Sequence, residues 1–327
     1  VSMRLDTLDL QNRTLKIRLV QPVLLTNSTQ APYNSAAFTL VAGVYKLNAT
    51  TLLSLFKQWL TTTKNLGVYD HAMFITVPTN VPVDTRFSGL AYVGSFCHGN
   101  GESSSIIEDR GAYQSEGVVA HELAHSFGSH HDGENNACSS SARYIMSDSS
   151  YPETYANIYN PWIFSSCSSE SILNYLKTLE QNETLLQKCL ISASGSIETD
   201  ESHTVSANDQ CKLFYGNESF VCRVSLPSLD RICDEFYCRK PGTDLCERMT
   251  AATGTCCGNL KKCLRGLCVD AAQGECPVTG RFNHVCRHQE RTLEGWRGML
   301  RGRVGVGSKR RGWGVAHHHH PHNYTFF

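Results

Sequence analysis

The fold turns on one stretch, His121-Glu122-Leu123-Ala124-His125-Ser126-Phe127-Gly128-Ser129-His130-His131-Asp132. It lies in a run from about Ser115 to Phe127 that reads as a helix, stopped at Gly128. On a helix His121 and His125 project from one face on successive turns, so their rings can grip a single ion. Glu122 sits about 100° round the helix, too far to complete that ligand set easily but well placed beside the ion for proton transfer. Gly128 supplies the left-handed residue that ends the helix and turns the chain, bringing His131 back as a third imidazole. Three neutral nitrogens hold Zn²⁺ with one tetrahedral position open to water, the catalytic rather than the structural pattern. Such an ion draws the pKa of its water towards ~7, and Glu122 can take the proton as the water attacks a carbonyl. His71, His98, His130 and His203 read as ordinary core or surface histidines.

Around this stretch the chain mixes strand and helix patterns. Residues 15–24 (LKIRLVQPVL) partly alternate apolar and polar side chains, as a half-buried strand does, with Pro22 favouring an edge or bulge. Leu52, Leu55, Phe56, Trp59 and Leu60 form one apolar helix stripe, capped by Asn48, Thr50 or Thr51 and ended at Asn65-Leu66-Gly67. Ala72–Val77 suits a central strand and Gly89–Gly94 an edge strand, while Ile172, Leu173, Leu176 and Leu179 mark a further amphipathic helix. The expectation is an α+β domain over residues 1–192, a polar linker over 193–206, a cysteine-dense module over 207–290 and a basic Gly/Arg/His-rich tail over 291–327. The tail is expected to be disordered, with binding of heparin-like polyanions as the alternative.

The 15 cysteines in 327 residues bear on compartment. Eleven crowd into 211–286, without the paired C-x2-C and H-x3-H spacing of zinc fingers, and read as a disulfide framework in an oxidising environment. Because 15 is odd, at least one thiol is free or paired outside the chain. Six glycosylation sequons, at Asn12, Asn27, Asn48, Asn182, Asn217 and Asn323, agree with secretion. Lys+Arg and Asp+Glu both number 30, so overall charge points to no nucleic-acid partner. No apolar run approaches the ~18–20 residues that span a bilayer.

The extended histidine motif followed by Asp132 resembles the metzincin metalloproteases of the reprolysin branch, which includes the adamalysins, ADAMs and ADAMTS proteins. Tyr144-Ile145-Met146-Ser147, 15 residues past His131, is similar to the Met-turn of that family. Asp70-His71-Ala72-Met73, Gly89–Cys97 and Phe164–Ser168 resemble the strand after its second helix, the edge strand along its cleft, and its closing segment. The resemblance implies one zinc ion held by His121, His125 and His131, with Glu122 as the catalytic residue. It also implies that Asp132 steadies the active-site turn, that Met146 packs beneath the imidazoles, and that Cys97 pairs with Cys189 and Cys138 with Cys167. By the same resemblance, extended protein or peptide substrates would pair with the Gly89–Gly94 edge. It further implies that Val1 lies inside the catalytic domain, with signal and prodomain upstream. The run Gly254–Gly258 through Cys263–Val269 resembles the disintegrin-like module of ADAMTS proteins, although no Arg-Gly-Asp triplet occurs in the chain. With no thrombospondin repeat recognised, the whole most resembles tick salivary metalloproteases. That implies a secreted zinc endopeptidase acting on extracellular blood or matrix proteins. Calcium stays open, since no oxygen-ligand motif stands out. The alternative is an idle protease scaffold that binds partners through its cysteine module. A degenerate scaffold is expected to lose Glu122 or a histidine, and none is lost.

Overall fold

The computed structural model describes residues 1–26, 30–32, 35–41, 44–76, 88–148, 151–189, 206–222 and 229–276. A short helix α1 (Ser2–Leu5) opens the chain. Strands β1 (Phe38–Val41) and β2 (Val44–Leu47) form an antiparallel pair with Phe38 opposite Leu47. Helix α2 (Ala49–Thr62) follows directly, because the Asn48 side chain accepts a hydrogen bond from the Thr51 amide at 3.0 Å and satisfies one of the free N–H groups of the first turn. Leu52, Leu53, Phe56 and Leu60 give it one buried face.

That face packs on a mixed sheet. Strand β3 (Ala72–Thr76) runs parallel to β5 (Ser104–Glu108), and β4 (Gly89–Ala91) pairs antiparallel with the other side of β5. The order is therefore β3-β5-β4. Alternate residues serve opposite faces. Ala72, Phe74 and Ile106 pack with α2, whereas Met73 points into the cluster that holds the next helix, α3 (Glu116–Ser126). Helices α4 (Ser166–Gln181) and α5 (Glu183–Lys188) complete this second core. Leu123, Phe127, Met146, Phe164, Ile172 and Leu176 are all buried in it. Cys97–Cys189 ties the loop after β4 to the end of α5, and Cys138–Cys167 ties the loop after His131 to α4.

Two expectations need correction. Residues 15–24 form no strand: Leu15 and Ile17 pack in the second core and Val23 packs against the core of α2, but Leu19 and Val20 between them stand exposed, so the partial alternation marks an irregular segment anchored at both ends. The centre of the described sheet is β5 rather than β3. The strand over Gly89–Gly94 does form an edge of the described sheet, shortened to Gly89–Ala91.

In the cysteine-rich segment Ser206 caps helix α6 (Ala207–Tyr215) by accepting from the Asp209 amide. Residues 193–205, the remainder of the expected linker, lie outside the described residues, as do Asn27, His203, Cys286 and the tail from 291 onward. Two small antiparallel sheets follow, β6 (Phe236–Arg239) with β7 (Cys246–Met249), and β8 (Cys256–Gly258) with β9 (Lys261–Leu264) and β10 (Leu267–Asp270). Five disulfides, 211–238, 222–246, 233–263, 256–276 and 257–268, supply much of its core, around Ile232, Phe236 and Met249. So small a unit cannot bury enough apolar surface alone, and cross-links compensate.

The module rests on the first domain. Gln114 makes reciprocal hydrogen bonds to the backbone of Thr250, at 2.8 and 3.0 Å, and Arg248 pairs with Glu153 at 2.9 Å. A Cβ at Gly266 would stand 2.9 Å from the Trp162 ring, so only glycine permits this approach. No described helix is long and apolar enough to cross a membrane.

Candidate metal centre

Helix α3 carries His121 and His125 four residues apart, and the turn that returns His131 is built by the end of that helix. The Gly128 amide donates to the His125 carbonyl at 2.8 Å and the Ser129 amide to the Ala124 carbonyl at 2.9 Å, the paired bonds of a Schellman cap. Gly128 adopts φ +86°, a conformation that costs glycine nothing. The chain after β4 closes on the same helix end, through hydrogen bonds from Gly94 to the His125 carbonyl and from Ser95 and Phe96 to that of Ser126.

The three imidazoles converge. Nε2 of His131 lies 3.1 Å from Nε2 of His121 and 3.2 Å from Nε2 of His125, and one ligand atom from each lies within 4.8 Å of the others. Nδ1 of His121 faces the Ile145 carbonyl and Nδ1 of His125 the Ser129 carbonyl, both at 2.7 Å. Each Nδ1 therefore carries the proton and donates it, which leaves Nε2 with a lone pair aimed at the common point. Burial pushes the His121 imidazole down to about 4 and that of His125 to about 3, so both stay neutral across the physiological range. Tetrahedral zinc with Zn–N of about 2.0–2.1 Å sets its nitrogens ~3.3 Å apart, close to the spacing found. Converging lone pairs at such a distance repel unless a cation lies among them, so the residues fit a zinc ion.

Glu122 is buried beneath β4, with Oε2 lacking any hydrogen-bond partner among the described residues. Burial pushes its carboxyl up to about 8. A cation on the neighbouring imidazoles would favour the carboxylate. Its contact is Gly89: an added Cβ would lie 2.4 Å from Oε1 and 2.6 Å from Cγ.

Asp132 knits the surroundings together. Its amide donates to the Met146 carbonyl at 2.9 Å, and its Oδ1 accepts from the Ser165 hydroxyl at 2.6 Å. Ser165 Oγ in turn accepts from the Ser168 amide as the N-cap of α4. The Ser140 hydroxyl donates to the Asp132 carbonyl. Burial raises the Asp132 carboxyl, an effect opposed by the Ser165 hydrogen bond. Met146 is fully buried in the core that supports α3. Thus the structure brings His121, His125 and His131 together, sets Glu122 on the same helix, and arranges Gly128, Asp132 and Met146 around them.

Sequence reasoning did not find Gly89, Ser165 or the carbonyls of Ile145 and Ser129. The carbonyls carry no side-chain signal, and Gly89 and Ser165 act only through the tertiary fold. Among the described residues, the other histidines are structural or peripheral. His71 stacks on Phe96 with centroids 5.5 Å apart and faces the hydroxyls of Ser103 and Ser105, while His98 and His130 lie near Glu102 and Glu134. A second cluster of potential ligands, Cys233, Cys257 and Cys268, consists of disulfide sulfurs and offers no thiolate.

The comparisons with known proteins relate this fold and candidate site to a metallopeptidase family. A family model for metallopeptidase family M12 (Reprolysin_5) matches residues 4–160, and one for ADAMTS cysteine-rich domain 2 matches residues 202–269. Residues 4–160 are therefore similar to the reprolysin family, and the two matches fall in an ADAMTS-like order of domains. Over 198 residues, 58% of this chain, it is 34% identical to a disintegrin and metalloproteinase with thrombospondin motifs 7 of Mus musculus, covering 11% of that protein. It is 30% identical over 247 residues, 71% of this chain, to the mouse protein numbered 18 in the same series, and 31% identical over 241 residues, also 71%, to the Homo sapiens protein numbered 16. Each of these two matches covers 19% of the relative. The matched region thus spans between about a tenth and a fifth of the relatives' own length.

Proposed function

We propose that this chain is a secreted, zinc-dependent endopeptidase that hydrolyses peptide bonds in extracellular proteins, with blood or matrix proteins as substrates. The observation that carries the reading is the convergence of three Nε2 lone pairs, at 3.1 and 3.2 Å, on the helix that also bears Glu122. In this reading residues 1–192 form the catalytic domain, residues 207–290 a cysteine-rich module, and the basic segment 291–327 has no part in catalysis.

Zinc, when bound by His121, His125 and His131, supplies Lewis acidity towards a peptide carbonyl and the attacking water. Glu122 accepts that water's proton at a carboxylate oxygen and delivers it to the leaving amine. The carbonyls of Ile145 and Ser129 hold the rings of His121 and His125 in the tautomer that leaves Nε2 free. Asp132 holds the turn that carries His131 against Met146 and α4. β4 has one sheet partner among the described residues, so its outer edge can receive an extended substrate segment by β-augmentation beside Glu122. An extended segment is offered by loops and unfolded regions of proteins, which favours cleavage within chains.

Four sequon asparagines, Asn12, Asn48, Asn182 and Asn217, lie exposed. Asn48 and Asn182 use only their side-chain oxygens as helix caps, which leaves their nitrogens free for a glycan. Together with seven disulfides this supports an extracellular, glycosylated protein. The test is metal analysis with a quenched-fluorescent peptide library: one zinc per chain with chelator-sensitive internal cleavage is expected, and zinc binding without any peptide cleavage would favour the binding-module reading.

A further inference from the structure

We infer that Glu134 is the positioning residue of the third zinc ligand, His131; the inference rests on the zinc site proposed above. The three ligand rings are not held alike. His121 and His125 each turn Nδ1 to a backbone carbonyl at 2.7 Å, a partner that no side-chain substitution removes. His131 instead turns Nδ1 towards a side chain: Oε2 of Glu134 stands 3.5 Å away. The same carboxylate places Oε1 3.8 Å from Nδ1 of His130, so one glutamate spans two adjacent imidazoles.

The loop fixes this arrangement. The Glu134 amide donates to the His131 carbonyl at 3.0 Å, and Asn136 Nδ2 donates to the same carbonyl at 2.7 Å. Asn136 Oδ1 accepts from the amides of Gly133 and Cys138, at 3.0 and 3.1 Å. Gly133 takes φ +88°, which lets the chain fold back, and Cys138 is anchored to α4 through Cys167. Residues 131–138 are thereby wound so that the Glu134 side chain returns to the outer edge of the His131 ring.

A carboxylate at that edge does two things to the imidazole. It favours the proton on Nδ1, which presents the lone pair of Nε2 to the metal. It also limits rotation of the His131 ring, whose side chain is about a third exposed. The Glu134 side chain is half exposed, so this pairing works next to solvent and is the adjustable part of the ligand set.

The test measures zinc affinity by competition with a chromophoric chelator on the folded chain, alongside thermal unfolding of the zinc-free protein. Glu134→Gln should weaken zinc binding by about 10-fold or more, the range typical of losing such an outer partner. Glu134→Asp, which keeps the charge, should recover part of that loss. The zinc-free variants should melt with the parent, and the visible spectrum of the cobalt-substituted protein should change in Glu134→Gln. Zinc affinity of Glu134→Gln within about twofold of the parent would overturn the inference while leaving the zinc site standing. So would an equal drop in the melting temperature of zinc-free and zinc-loaded Glu134→Gln, since that would mark a merely structural role. A parent chain that bound no zinc would overturn the site itself and the inference with it.

Discussion

Gly89 of the edge strand lies directly on the side chain of Glu122: a Cβ at Gly89 would stand 2.4 Å from Oε1, 2.6 Å from Cγ and 2.7 Å from Cδ. The absence of a side chain at Gly89 therefore sets where the carboxyl of the proposed general base rests. No backbone strain is involved, so an added methyl group must displace the flexible Glu122 side chain rather than the strand. Gly89→Ala is expected to keep zinc at one per chain and to melt near the parent. Its turnover should fall towards the ~10²-fold loss typical of impaired proton transfer. Steady-state kinetics with metal analysis checks this; parent-like turnover would show that Glu122 tolerates the shift.

The Ser165 hydroxyl serves two neighbours, donating to Asp132 Oδ1 at 2.6 Å and accepting from the Ser168 amide at 3.1 Å. Ser165→Ala removes the cap of α4 and leaves a buried carboxylate with one fewer donor. A loss of about 1–3 kcal/mol is expected in denaturant unfolding. A change below about 0.5 kcal/mol would mean that water or a backbone shift replaces both bonds.

His71 gives a pH dependence that lies outside the metal site. Desolvation by the surrounding protein pushes its imidazole down to about 3, against ~6.5 in an unfolded chain. Above pH 6.5 the ring is neutral in both states and costs nothing. As pH falls from 6.5 towards 3 the unfolded chain binds a proton that the folded chain refuses, so stability falls with pH across that window. Discounted for the exposed part of the ring, the loss attributable to His71 between pH 6.5 and 5 is about 1–2 kcal/mol. His71→Gln should flatten that part of the stability profile, and an unchanged slope would assign it to other groups.

The disulfide Cys97–Cys189 spans 92 residues of sequence and closes the first domain from the loop after β4 to the end of α5. Removing it as Cys97→Ser/Cys189→Ser is expected to lower stability by about 2–5 kcal/mol, because a long loop regains its freedom in the unfolded chain. Non-reducing peptide mapping should recover this pair and Cys138–Cys167. Linkage of any of these four to the 211–276 cysteines would contradict the connectivity.

The convergence of the three histidines was legible because helical spacing alone dictates that His121 and His125 share a face, and Gly128 announces the turn that returns His131. The apolar stripes of α2 and α4 were equally direct, since burial there follows a 3.6-residue period. Strand β5 was not legible: Ser104 and Ser105 look polar, yet both are buried, because Ser104 donates to the Gly101 carbonyl and Ser105 meets His71. Residues 15–24 misled in the opposite direction, with an alternation that the fold uses at Leu15, Ile17 and Val23 but breaks at exposed Leu19. Contacts between distant segments, Gly89 with Glu122 and Gln114 with Thr250, leave no periodic trace in the sequence.

The central claim is that His121, His125 and His131 hold zinc while Glu122 moves the proton. Changing Glu122→Gln keeps the side chain's size and removes its ability to accept a proton, whereas His125→Ala leaves two imidazoles, which hold the ion poorly. The most direct measurement is zinc content and peptide turnover of Glu122→Gln on one preparation, with His125→Ala alongside. The account predicts about one zinc per chain with turnover reduced at least ~10²–10⁴-fold for Glu122→Gln, and loss of both zinc and turnover for His125→Ala. Near-parental turnover by zinc-loaded Glu122→Gln would contradict it.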